Sequence, residues 1–138
     1  MSSSIPARLK DLYEAAREAR SLAYCPYSGH KVGAAIRASD GKIYSGCNVE
    51  NSSYGATICA ERVAIQKAVS EGRTKVREVL VITDAVPPWP PCGMCRQVIG
   101  EFGRDAVIHS ANLAGEIKTV PFDDLFPDAF TPGHLQKK

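Results

Sequence analysis

Between positions 7 and 24 the apolar residues Leu9, Leu12, Tyr13, Ala16, Ala19 and Ala23 recur every three or four places, with Arg, Lys, Asp and Glu between them. That spacing is one face of a helix, so the pattern predicts an amphipathic helix over 7–24. Cys25-Pro26-Tyr27-Ser28-Gly29 breaks it. A strand is then expected over 32–36, a turn at Ser39-Asp40-Gly41 and a hairpin partner over 43–49. Val63, Ile65, Ala68 and Val69 mark a second helix over 59–70, stopped by Glu71-Gly72. The run of Val, Leu and Ile over 76–83 predicts a buried strand. Pro87, Pro88, Pro90 and Pro91 make a rigid loop around Trp89, and a third helix is expected over 92–102, closed by Gly103. Short strands over 106–109 and 116–120 and a helical turn over 122–125 complete the chain. The order α-β-β-α-β-α-β-β predicts an α/β fold, one five-stranded mixed sheet with helices on both faces. No internal repeat or low-complexity segment interrupts it.

Composition changes this picture only at its margins. A chain of 138 residues, 44% hydrophobic and 23% charged, is expected to form one soluble domain over 1–138 with a buried core. The short polar start carries no expected signal peptide and no stretch is long enough for a membrane span, which predicts a cytoplasmic protein. Five cysteines, an odd number, argue against a closed disulfide framework and for a reducing compartment. Cys25 and Cys47 are expected as small buried hydrophobes. A formal charge of +2, with Lys and Arg scattered, disfavours a nucleic-acid partner, and Lys137-Lys138 is expected as a solvated tail.

The remaining three cysteines carry candidate chemistry. Cys59-Ala60-Glu61 opens the second predicted helix, and Pro91-Cys92-Gly93-Met94-Cys95 opens the third. Cys92 and Cys95, three apart at a helix start, can present both sulfurs to one ion, and three thiolates suit Zn²⁺. The missing fourth ligand leaves a position for water. Cys59 at the positive end of a helix dipole favours thiolate, and Glu61, two places on, projects elsewhere and can meet that water without ligating the metal. A lone C-x-x-C also suits a redox pair or half a structural zinc site, and a first-turn Glu is favoured by the dipole alone. His30, His109 and His134 do not stand at paired spacing with the cysteines and are not expected as ligands. Both cysteine-bearing helices follow strands, so their N-termini are expected to meet at one edge of the sheet.

In this order and spacing, the motifs resemble the cytidine and deoxycytidylate deaminase family, in particular the small homotetrameric zinc-dependent cytidine deaminases. The resemblance runs from Ala-Tyr-Cys-Pro-Tyr-Ser at Ala23 to Asp-Ala-Phe at Phe130, and includes Gly46-Cys47-Asn48-Val49-Glu50-Asn51. It implies a three-layer α-β-α deaminase fold and hydrolytic deamination of free cytidine and 2′-deoxycytidine in pyrimidine salvage. Zn²⁺ would be held by Cys59, Cys92 and Cys95, with Glu61 as the proton shuttle. Asn48 and Glu50 would bind the ribose 3′-hydroxyl, Ala60 would offer its backbone N–H to the pyrimidine carbonyl, and Arg62 would hydrogen-bond to ligand sulfur. Tyr54 and Phe130 would wall a neighbouring subunit's pocket, Phe130 stacking on the base. Arg96 is expected to face solvent. Two positions depart from the family pattern. His30 stands where the family has a pocket Phe, which bears on base preference and pH dependence and is expected to open the pocket to modified cytosines, and Pro90 replaces the usual Ser or Thr while keeping the carbonyl expected to receive the leaving amino group. Two other readings are a deaminase acting on a cytosine that carries an unusual sugar, and a zinc-stabilised interaction module without catalysis.

Overall fold

The computed structural model describes residues 5–135; the Lys137-Lys138 end lies outside them. A single 3₁₀ turn at Ala7–Leu9 leads into α1 (Lys10–Arg20). The strands are β1 (Gly33–Ala38), β2 (Ile43–Cys47), β3 (Val76–Thr83), β4 (Val107–Asn112) and β5 (Ile117–Pro121). Helices α2 (Ala60–Ser70), α3 (Gly93–Phe102) and α4 (Phe122–Leu125) fall between or after them. The sheet has five strands in the order β2-β1-β3-β4-β5. Only β3 and β4 run parallel, joined by the α3 crossover; the other neighbours are antiparallel. This is the expected mixed sheet, with one helix layer on each face.

Alternation along the strands divides the core. On one face Leu9, Leu12, Tyr13 and Ala16 pack against Ala35, Leu80, Ile82 and Ala111. On the other, Ala64, Ile65, Ala68, Ile99 and Phe122 pack against Ile36, Tyr44, Val79 and Ile108. Residues 79, 80, 81 and 82 are all buried, as a central strand covered on both sides requires.

Several boundaries move, each because a tertiary bond overrides local pattern. The first helix stops at Arg20 and does not reach position 24, because the Tyr24 N–H donates to the Asn48 carbonyl and the Tyr24 carbonyl accepts from Glu50 N–H. The same bonds end β2 at Cys47, and Val49 turns away to bridge Ile58. β1 runs two residues past Ile36, through an irregularity between Arg37 and Ala38. β4 continues past His109 to Asn112, whose buried side chain donates to the Ala85 carbonyl and to Glu116. Cys25 and Cys47 are half-buried, not fully buried as expected. Among the described residues, no helix is long and apolar enough to cross a membrane.

Candidate active site

Cys59 and Cys92 are not helical residues but the N-cap positions of α2 and α3, with extended backbone. Cys95 lies one turn into α3 and is buried. The two helix starts meet at the C-terminal end of the central strand β3, whose Val81 and Thr83 line the same cavity, and not beside an outer strand.

Cys92 Sγ stands 3.4 Å from Cys95 Sγ and 3.8 Å from Cys59 Sγ, and all three sulfurs lie within 4.8 Å of one another. A tetrahedral Zn²⁺ with Zn–S bonds of about 2.3 Å separates its sulfurs by about 3.8 Å, so the cluster fits the ion. Among the described residues no His, Asp or Glu joins the three, which leaves the fourth position to a non-protein ligand. His109 is instead buried between Thr119 Oγ1 and Glu78 Oε2, and His134 stacks on Phe130. The neighbouring Cys95 thiol and Arg62 pull the Cys59 thiol down to about 5. Cys95 is pushed up, first by that same contact and then by burial.

Glu61 is only 4% exposed, which removes the reading of a solvated first-turn acid. Burial pushes its carboxyl up to about 7; the Cys59 sulfur adds to this, while the Cys95 thiol and Arg62 oppose it. Arg62 donates from one terminal nitrogen to the Thr57 carbonyl at 3.2 Å and to Cys59 Sγ at 3.8 Å. Among the described residues, its buried Nε has no hydrogen-bond partner.

A cavity of about 270 Å³ opens over this group. Of the expected residues, Cys59, Ala60, Glu61, Cys92, Asn48, Glu50, His30 and Pro90 line it. Ala60 is the first residue of α2, so its N–H has no intrahelical carbonyl to meet. Asn48 Oδ1 accepts from Val32 N–H, and Nδ2 donates to the His30 carbonyl at 2.8 Å. Glu50 Oε1 accepts from the backbone N–H groups of Tyr27 and Ser28, and Oε2 from Ser28 Oγ. The Ser28 hydroxyl is the main reason that the Glu50 carboxyl is held below its usual range. The His30 ring meets Trp89 edge-on, with centroids 5.8 Å apart.

Tyr54 and Phe130 do not line this cavity in their own chain; they are 74% and 56% exposed. Trp89, Ser28 and Thr57 line it, although the sequence did not single them out. Ser28 was the one with a signal, since it is the Ser of the quoted Tyr27-Ser28 motif and its hydroxyl donates to Glu50. Arg96 does not face solvent as expected. It is half-buried, with Nε 2.9 Å from the Pro91 carbonyl and a terminal nitrogen 2.8 Å from that of Leu125.

The family described as the cytidine and deoxycytidylate deaminase zinc-binding region matches residues 6–111. A cytidine deaminase of Halalkalibacterium halodurans is 47% identical over 87% of this chain and 92% of its own length. One from Sporosarcina psychrophila is 45% identical over 92% of this chain and 94% of its own. The crystal structure of cytidine deaminase from Burkholderia pseudomallei superposes with a TM-score of 0.85 at 42% identity, covering 91% of this chain and all of that one. With three sulfurs at zinc spacing, an open fourth position and these likenesses along most of its length, the chain belongs to the cytidine and deoxycytidylate deaminase family of zinc hydrolases.

Proposed function

We propose that the chain, as one domain over 1–138, deaminates free cytidine and 2′-deoxycytidine to the uracil nucleosides in cytoplasmic pyrimidine salvage, releasing ammonia. One juxtaposition supports this most: a buried carboxyl, Glu61, beside three sulfurs, in a cavity that also presents Asn48 and Glu50. Zn²⁺ held by Cys59, Cys92 and Cys95 supplies, when bound, a Lewis acid that activates water for attack on C4.

The chain's own residues move the protons and hold the substrate. Glu61, with its carboxyl near 7, can both take and give a proton at neutral pH. It takes one from the attacking water, delivers it to ring N3, and carries the second to the departing amino group. One water is consumed and one ammonia leaves. Ala60 offers its free N–H to the pyrimidine carbonyl. Asn48 has already placed one amide N–H and one acceptor site within its own loop, and keeps another N–H for the sugar. Glu50 stays ionised and accepts from the same hydroxyl. Pro90, at the cavity wall, keeps a carbonyl that can receive the leaving amine. Arg62 donates to Cys59 and offsets the excess negative charge of three thiolates.

Tyr54 and Phe130 are assigned to the site of a neighbouring subunit, which makes the working unit a homotetramer with shared sites. His30, with Trp89, forms a polar wall where the family has Phe, and this supports turnover of N4- or C5-modified cytosines.

Zinc-loaded protein is to be incubated with cytidine, deoxycytidine and an N4-substituted cytidine, following loss of cytosine absorbance and release of ammonia or amine. Turnover of the two plain nucleosides is expected, with the substituted one also consumed. Silence on all three from folded, zinc-replete protein would overturn the assignment. Light scattering that gives a monomer at assay concentration would remove the shared site.

A further inference from the structure

Arg96 occupies an uncommon position relative to Cys92. Its backbone N–H donates to the Cys92 carbonyl at 2.9 Å, the ordinary first bond of helix α3. Its side-chain Nε donates back to the Pro91 carbonyl, also at 2.9 Å. One residue therefore grips the two peptide groups that flank the Cys92 α-carbon. Fixing both planes fixes φ and ψ at Cys92, which sit at −69° and 172°, and so fixes the Cα–Cβ bond from which its sulfur hangs. The Pro91 carbonyl precedes the helix and has no intrahelical donor, and the Arg96 side chain supplies one. Cys92 is the exposed ligand of the three, with the least packing of its own to hold it.

The grip continues outward. A terminal nitrogen of Arg96 donates to the Leu125 carbonyl at the end of α4, and the next residue, Gln97, donates from Nε2 to the Phe130 carbonyl at 3.0 Å. Two adjacent side chains of α3 thus bind the segment that follows β5. The guanidinium fork suits this task, since it reaches two carbonyls in different directions while lysine presents a point charge.

We propose that Arg96 is a positioning residue for the reaction: through the Pro91 carbonyl it sets the Cys92 sulfur and the adjoining Pro90 wall of the cavity, and it ties both to the C-terminal segment. It touches neither substrate nor sulfur. Misplacement of a reacting group by about 1 Å can cost on the order of 10²-fold in rate, and this sets the scale of the expected effect.

The test compares wild type, Arg96→Ala and Arg96→Lys. Two quantities are measured: the rate at which zinc passes to a chromogenic chelator, and kcat and KM on cytidine. Arg96→Ala is expected to release zinc at least tenfold faster and to lose about 10- to 100-fold in kcat, with KM within threefold. Arg96→Lys, which can meet one carbonyl, is expected to fall between. A role confined to fold stability would lower the melting temperature and leave both quantities unchanged in folded, zinc-loaded protein, and that result overturns the proposal. Should Arg96→Ala not fold, Arg96→Lys decides: unchanged zinc release and kcat overturn the proposal, and at least threefold changes support it. Failure of both to fold also overturns it, since Arg96 then serves the fold as a whole. The kinetic arm rests on the deamination reading. A wild type that binds zinc but leaves cytidine intact would defeat that reading alone, and zinc release would still decide this one.

Discussion

A carboxyl in the first turn of a helix normally keeps its charge in water, and Glu61 has given that up: it is buried beside sulfur at the cavity. Removing its proton affinity while keeping its shape isolates what it does. Glu61→Gln is expected to bind one zinc per chain, since the three sulfurs remain, and to lose about 10²- to 10⁴-fold in kcat, the usual worth of a positioned acid–base group. Near wild-type turnover by zinc-replete Glu61→Gln would end its role as proton carrier. Arg62 lies one step away and donates to Cys59 Sγ; in the proposed function this lowers the charge that the sulfur presents to the ion. Hydrogen bonds to charged groups are worth about 1.5–3 kcal/mol, so Arg62→Ala is expected to lose roughly 10- to 100-fold in kcat with zinc content nearly intact. Metal analysis beside steady-state rates separates the two effects, and an unchanged rate at full metal content would refute this. The cysteines and Glu61 were legible because each set lies within one helical turn, where spacing dictates direction, whereas the Arg62 contact was implied by the family resemblance. Arg96 was not legible, because its partners are the carbonyls of Pro91 and Leu125, and a backbone acceptor leaves no trace in residue type.

Helix α2 carries Ala60 and Glu61 and is capped by Cys59, and what seats it is the absence of a side chain at Gly46 on β2. A Cβ there would stand 2.7 Å from the Ala64 nitrogen, 2.8 Å from the Ala60 carbonyl oxygen and 2.9 Å from the Val63 Cβ. Two of these are helix backbone and cannot swing aside. Gly46→Ala must therefore lift the helix from the strand, at a cost of about 1–3 kcal/mol. Because the contact falls at the first turn, the lift is expected to displace Cys59 and weaken zinc binding as well. Denaturant midpoints and zinc competition check this, and a variant that matches wild type in both would show that the contact is soft. Element boundaries followed the same division between local and distant causes. β3 lay where its apolar run put it, and α4 where the turn was expected. The first helix ended early and β4 ran long because Tyr24, Asn48 and Asn112 spend their hydrogen bonds on distant backbone, which periodicity does not encode.

Across the whole molecule, one polar chain ties the far end of the sheet to α1. Asp11 of α1 pairs with Arg37 of β1, Arg37 Nε with Glu78 of β3, and Glu78 with His109 of β4, which also meets Thr119 of β5. His109 is fully buried, and burial is the main cause holding its imidazole below the usual range, with the Arg8 and Arg37 cations working the same way against Glu78. In its neutral form Nε2–H donates to Glu78, and Nδ1 accepts from the Thr119 hydroxyl. Burial alone would raise Glu78, but its hydrogen bonds from His109 and Arg37 outweigh this and lower it. The signs agree. Below about 6.5 an unfolded His binds a proton that the folded one refuses, and below about 4.5 an unfolded Glu does the same. The stability that this pair contributes is therefore complete above the first value and falls as the solution is acidified, in two stages, at a limit of about 1.4 kcal/mol per pH unit for one proton. His109→Gln keeps a donor toward Glu78 and cannot titrate, so its unfolding free energy is expected to lose the His109 share of the dependence below about pH 6.5. Zinc binding is itself proton-linked and adds a slope to both proteins. Taking the difference between them at matched, saturating zinc cancels that term, and equal slopes in the two proteins would show that His109 carries none of the acid sensitivity.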